Sequence, residues 1–115
     1  MKTCKPGTVL RQGDVLLMHV ATVPDGAIEE DLAKADRVVL AYGEVTGHAH
    51  AIHRDGATRQ MPVRAWNAAA ERFIQVMQGT ALRHEEHSPV PMPPGVYKVV
   101  HQQEYTPEEI RRVAD

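Results

Sequence analysis

Five of the seven histidines in this chain stand in two short runs, Gly47-His48-Ala49-His50-Ala51-Ile52-His53 and His84-Glu85-Glu86-His87. Neutral imidazole is the commonest metal ligand in proteins, and two separated pairs can converge on one ion with no help from cysteine. In an extended chain His48 and His50 project from one face, the way a single strand offers two imidazoles to one metal. Glu44, Thr46 and Ile52 share that face, while Val45, Gly47, Ala49 and Ala51 are small or apolar enough to pack inward on the other. His53 falls out of phase beside a turn and is the weaker candidate.

His84 and His87 are three apart, a helical spacing, but Pro89 disfavours a long helix there. Read as a strand, His84 and Glu86 share the face of Leu82, and Glu85 and His87 point the other way unless the chain turns before Pro89. The zincin signature places its histidines four apart with glutamate directly after the first. His84-Glu85-Glu86-His87 misses that spacing by one residue and is not a metalloprotease motif. The candidate ligands are therefore His48, His50, His84 and His87, with Glu85 or Glu86 able to orient a histidine or act as a base. Nitrogen ligands with a carboxylate at hand suit Zn, Ni, Fe, Cu or Mn. His101 alternates with Tyr97 and Val99 and reads first as a buried histidine bonded to backbone, and His19 reads as structural.

These residues need strands to position them. Val9-Leu10, a turn at Gln12-Gly13-Asp14 and Val15 to Val20 form the first strand pair, closed by the turn signal Pro24-Asp25-Gly26. Ala27 to Asp36 suits an exposed helical turn or a surface loop. Val38 to Tyr42 leads through Gly43 and Gly47 into the first histidine run, where the glycines mark a bend or close backbone approach. Asp55-Gly56 supplies a turn, and Arg59 to Val63 reads as the returning strand. Ala65 to Glu71 is expected to be a short helical turn or loop, followed by a strand over Phe73 to Met77. Ala81 to His84 resumes the strand pattern after Gly79-Thr80. Four prolines among Pro89-Val90-Pro91-Met92-Pro93-Pro94-Gly95 require an extended connector along an edge. Val96 to Gln102 is the last strand, and Thr106-Pro107-Glu108-Glu109 is a capping box that opens a short C-terminal helix.

The fold class expected is all-β, a small antiparallel β-barrel or sandwich with that one helix, and the 115 residues suffice for a single β-rich domain, 1–115. Aromatic residues are scarce, with one Trp, one Phe and three Tyr, so the core rests on aliphatic residues and little surface is left for stacking bases. The net charge of -2 has thirteen basic residues dispersed among fifteen acidic ones, which argues against nucleic acid as a partner. Cys4 stands alone, so an internal disulfide and every thiolate-rich zinc site are excluded. No apolar run, Val15-Leu16-Leu17-Met18 included, comes near the length a bilayer needs. A cytoplasmic protein without a membrane partner is expected.

The strand-borne His48-Ala49-His50, followed by a Pro93-Pro94-Gly95 turn and a further strand, resembles the cupins. That likeness implies a double-stranded β-helix with a metal held by histidines and a glutamate. Asp55 stands where the cupin carboxylate is a glutamate, and Lys98 where a metal-binding histidine belongs. Gly7 to Leu16 is similar to the strand-turn-strand opening of urease-accessory nickel chaperones, which implies metal delivery. The pattern Gly43-Glu44-Val45-Thr46-Gly47-His48-Ala49-His50, His84 to His87 and Pro93-Pro94-Gly95-Val96-Tyr97 resembles a group of small bacterial and phage-type proteins without an assigned function.

The sequence thus leads to binding of a divalent transition metal, with a small-molecule ligand transformed at an open coordination position. Two other readings stand beside it. One is a non-catalytic metal carrier or sensor, whose ligands would lie near the surface at a homodimer interface. The other is an interaction module whose histidines form a polar network without metal.

Overall fold

The structure, a computed structural model, describes residues 7–43 and 47–101. Glu44, Cys4 and the C-terminal helix expected from Thr106 onward lie outside the described residues. Those described are all-β: β1 (Val9–Gln12), β2 (Val15–Val20), β3 (Ile28–Glu29), β4 (Arg37–Tyr42), β5 (Ala49–His53), β6 (Val63–Ala68), β7 (Glu71–Val76), β8 (Thr80–Leu82), β9 (Val90–Met92) and β10 (Gly95–His101). Every pairing is antiparallel. Among these residues no helix is long and apolar enough to cross a membrane.

Six strands form one sheet in the order β1-β2-β10-β7-β6-β3, and β4-β5 and β8-β9 form two-stranded sheets. None closes on itself. The barrel expectation fails because β1 and the two-residue β3 end the large sheet as open edges. Strand alternation explains how the sheets pack: Val15, Leu17 and His19 of β2 are buried while the residues between them are partly or fully exposed. One hydrophobic cluster then joins all three sheets, with Leu17, Ile74 and Tyr97 from the large sheet, Val38 and Ile52 from β4-β5, and Leu82 and Met92 from β8-β9.

Two segments depart from their sequence readings. The helical turn expected over Ala65 to Glu71 is instead a hairpin, β6 paired to β7 from Val63↔Val76 to Ala68↔Glu71. Ala69 takes a left-handed φ of 55° in the two-residue connection, and such tight turns require this conformation. The apolar residues at helical spacing there result from two strands meeting at a turn. The second departure is the returning strand over Arg59 to Val63, since β6 begins only at Val63. Before it, the Asp55 carboxylate accepts the N–H groups of Ala57 and Thr58, and Arg59 is left-handed at φ 60°. Hence Asp55-Gly56 closes a side-chain-capped loop, and β5 pairs with β4 instead. The region Ala27 to Asp36 is surface loop around β3, with Ile28 exposed. The proline-rich connector does run along an edge, where, among the described residues, β9 pairs only with β8, Pro91 opposite Ala81.

A candidate metal centre where three segments meet

β5 is buried along most of its length, because β4 covers one edge and the segment after β8 covers the other. Ala51 and Arg83 exchange both backbone hydrogen bonds at 2.8 Å. One residue further along that antiparallel register, His50 stands opposite His84 in a non-hydrogen-bonded pair, the position where facing side chains come closest. Their rings are 4.3 Å apart, centroid to centroid. His48 Nδ1 lies 3.5 Å from Oε1 of Glu86. This is ion-pair distance without hydrogen-bond geometry, and His48 Nδ1 is buried with no hydrogen-bond partner among the described residues.

The chain bends at Glu85 to His87, the turn before Pro89 on which the facing of His87 depended. The bend carries His87 round to the side of His84, with centroids 4.7 Å apart, and onto His50 at 5.6 Å with the rings nearly parallel. His84 is the hub, since His48 also meets its ring edge-on at 5.8 Å. The potential ligand atoms gather in two overlapping groups, His50, His84 and His87 in one and His48, His84 and Glu85 in the other, all within 4.8 Å of one another in each. All four histidines singled out from sequence therefore meet, but not as one four-membered set. His48, just before β5, and His50, within it, approach His84 from positions two residues apart in the chain, roughly 7 Å at strand spacing.

Glycines make this approach feasible. A Cβ on Gly43 would lie 3.0 Å from His84 Nε2 and 3.2 Å from the Cβ of His48. Gly13, in the β1-β2 turn at φ +55°, would place one 3.0 Å from His87 Nε2 and 3.2 Å from His50 Cε1.

Each candidate base has a distinct environment. His50, 5% exposed, is held below the ordinary imidazole range first by burial and then by the positive charge that His84 and His87 can carry; Asp14 and Glu85 act in the opposite direction. Glu85 is used in the scaffold: its Oε2 accepts the Ala49 N–H at 3.0 Å. That bond, and one from its own amide, hold its carboxyl below the usual carboxylate range. His84 Nδ1 accepts the Glu86 N–H at 3.0 Å. Burial is graded, from His50 inside through the half-buried His48 and His84 to the exposed His87 and Glu85.

His53 is exposed at the far end of β5, opposite Arg37. His101, the last residue of β10 and opposite Val15, is exposed, not buried as expected. Neither joins a converging group among the described residues. His19 is buried in the large sheet, edge-on to Tyr97 at 5.5 Å. The residue that sequence reasoning passed over is Gln12, which ends β1. It is 3% exposed, its Oε1 lies 2.9 Å from His50 Nδ1, and its Nε2 donates to the carbonyls of Leu82 at 2.9 Å and Ser88 at 3.0 Å. A glutamine beside Gly13-Asp14 looks like ordinary turn chemistry; only its burial sets it apart.

A family model described as a domain of unknown function (DUF8820) matches residues 11–102, and the chain belongs to that family. The matched span includes Gln12, Gly13, Gly43 and both histidine runs. No curated protein and no solved structure matches the chain.

Proposed function

We propose that this member of the DUF8820 family binds one divalent transition metal ion through His50, His84 and His87, with His48 and Glu85 on the far side of His84 as alternative donors. The observation that carries this reading is the convergence of three imidazole ligand atoms within 4.8 Å of one another. An ion bound at about 2.0–2.1 Å from each nitrogen in a tetrahedral site holds its ligand atoms roughly 3.4 Å apart, so side-chain shifts on the order of 1 Å would close the set on an ion. Three neutral nitrogens leave at least one coordination position open, and the exposed side at His87 admits water or a small-molecule ligand to it. The set suits Zn, Ni or Fe, with Mn less favoured by an all-imidazole shell. Exposed ligands on one side and a buried anchor on the other fit a carrier or sensor that loads from solvent better than an enclosed catalytic pocket. A cytoplasmic setting agrees with a sequence that holds a single cysteine.

His84 sets the condition for binding. Because its Nδ1 accepts the Glu86 N–H, the neutral ring carries its proton on Nε2. Ligation through either nitrogen therefore displaces that hydrogen bond or turns the ring. The bend at Glu85 to His87 is the part that gives way, and β5 is the part that stays.

One observation favours a second reading, a polar network without metal: Nδ1 of His50 and of His84 both have protein partners already. Elemental analysis of untagged protein, purified without chelator and then reconstituted with Zn, separates the two. Near one equivalent per chain is expected, with loss in His84→Ala, which removes the residue common to both groups, and retention at lower affinity in His48→Ala. No bound metal after reconstitution with Zn, Ni, Fe and Mn in turn would leave the network as the better account.

A further inference from the structure

The geometry points to Gln12 as the positioning residue of this site, fixing which nitrogen of His50 is available and holding together the segment that carries His84 and His87. The inference rests on the metal-binding reading for its functional consequence but not for its physical content. A side-chain amide has one donor and one acceptor end, and the surroundings decide which faces where. Gln12 Nε2 meets two carbonyl oxygens, those of Leu82 and Ser88, at 2.9 and 3.0 Å. Carbonyl oxygens only accept, so the reversed amide would set three acceptors against one another in a buried space. Oε1 therefore faces His50, and because it too only accepts, the His50 proton must sit on Nδ1, 2.9 Å away. The lone pair is left on Nε2. His50 is thus held as a ready donor to a metal or proton, and no carboxylate is involved.

The same amide does a second thing. Leu82 and Ser88 flank the bend that holds both histidines of the second run, and both their carbonyls meet on one nitrogen. Gln12 draws the two ends of that bend together while orienting the ring it closes against. Its neighbour Gly13 leaves the space that His50 and His87 fill. The β1-β2 turn is accordingly part of the site, although it contributes no ligand.

The test is the tautomer of His50, read from imidazole 15N shifts of metal-free protein at pH 8, beside a Zn titration. Wild type should show protonated Nδ1 and unprotonated Nε2. Gln12→Met, similar in shape but without donor or acceptor, should shift His50 toward the Nε2–H form, and Zn affinity should fall by about 10–100-fold, the usual effect of losing such a partner. Gln12→Glu keeps the acceptor and should keep the tautomer while losing both carbonyl contacts. Gln12→Asn, one methylene too short to span them, should behave as Gln12→Met does and serves in its place if the methionine variant does not fold. An Nδ1–H tautomer unchanged in Gln12→Met or Gln12→Asn overturns the assignment, whatever Zn does. A tautomer that shifts as expected in the Gln12 variants, together with wild-type protein that takes up no Zn, refutes the metal reading alone.

Discussion

His50 is where burial and chemistry conflict most directly. Its imidazole is held neutral by desolvation and by two neighbouring rings that repel a proton from it. A group whose folded pKa lies below its unfolded value binds fewer protons when folded, so folding is favoured above the unfolded value and loses that contribution as pH falls through the folded one. For His50 the loss begins near the ordinary 6.5 and continues below it. The urea midpoint of metal-free protein is expected to hold steady above pH 7 and drop between pH 6.5 and 5, with a shallower drop in His50→Gln. A midpoint that rises over that interval would falsify this account of His50. The histidines were legible from sequence because imidazole is chemically distinctive and an i, i+2 spacing specifies a shared face. Gln12 was not, because its role comes from two carbonyls and a ring that are distant in sequence.

Among the elements, runs rich in β-branched and aliphatic residues were the easiest to read. Val15 to Val20 and Val96 to Gln102 are such runs of strand length, and they became β2 and β10, paired Val20↔Val96 through Val15↔His101. The β6-β7 hairpin was misread because its Ala-rich connection carries no Gly or Asn to mark a left-handed turn, although Ala69 adopts one. The second histidine run was half legible: its face could be assigned, but the bend that reverses His87 depends on Gln12 from another sheet. Gly95 shows a case where the sequence marked a turn and the structure adds a steric reason. At φ +152°, its missing Cβ would stand 2.7 Å from His19 Nε2 and 2.9 Å from Cδ2, and the buried ring has little room to retreat. Gly95→Ala is expected to cost about 1–3 kcal/mol by overpacking, with backbone strain added. Adding His19→Ala should recover the steric share, giving a coupling of at least about 0.5 kcal/mol in a double-mutant cycle by urea denaturation. Strictly additive effects would show that the ring is not the obstacle.

Across the whole molecule, the candidate site lies where all three sheets come together: the β1-β2 turn belongs to the six-stranded sheet, His50 to β4-β5, and the 83–88 segment to the link between β8 and β9. Residues joined there are far apart in the chain; Gln12 bonds partners 38, 70 and 76 positions away. Closing such loops costs entropy that the unfolded chain does not bear, so an ion bridging β5 to the 83–88 segment selects the folded state over any partly opened one. A ligand bound only by the native protein stabilises it by about 2.7 kcal/mol at a free concentration one hundred times its Kd. For a domain of this size that corresponds to a Tm rise on the order of 10 °C. Thermal unfolding followed against Zn concentration should show such a rise, continuing logarithmically once the site is filled and reversed by chelator. The His84→Ala variant should show almost none of it, because that ring belongs to both groups of donors. An equal rise in the variant would mean that Zn binds elsewhere, at surface carboxylates or at the outlying His53 and His101. In that case the four rings would contribute to the fold only through their packing and the hydrogen bonds that His50 and His84 already make.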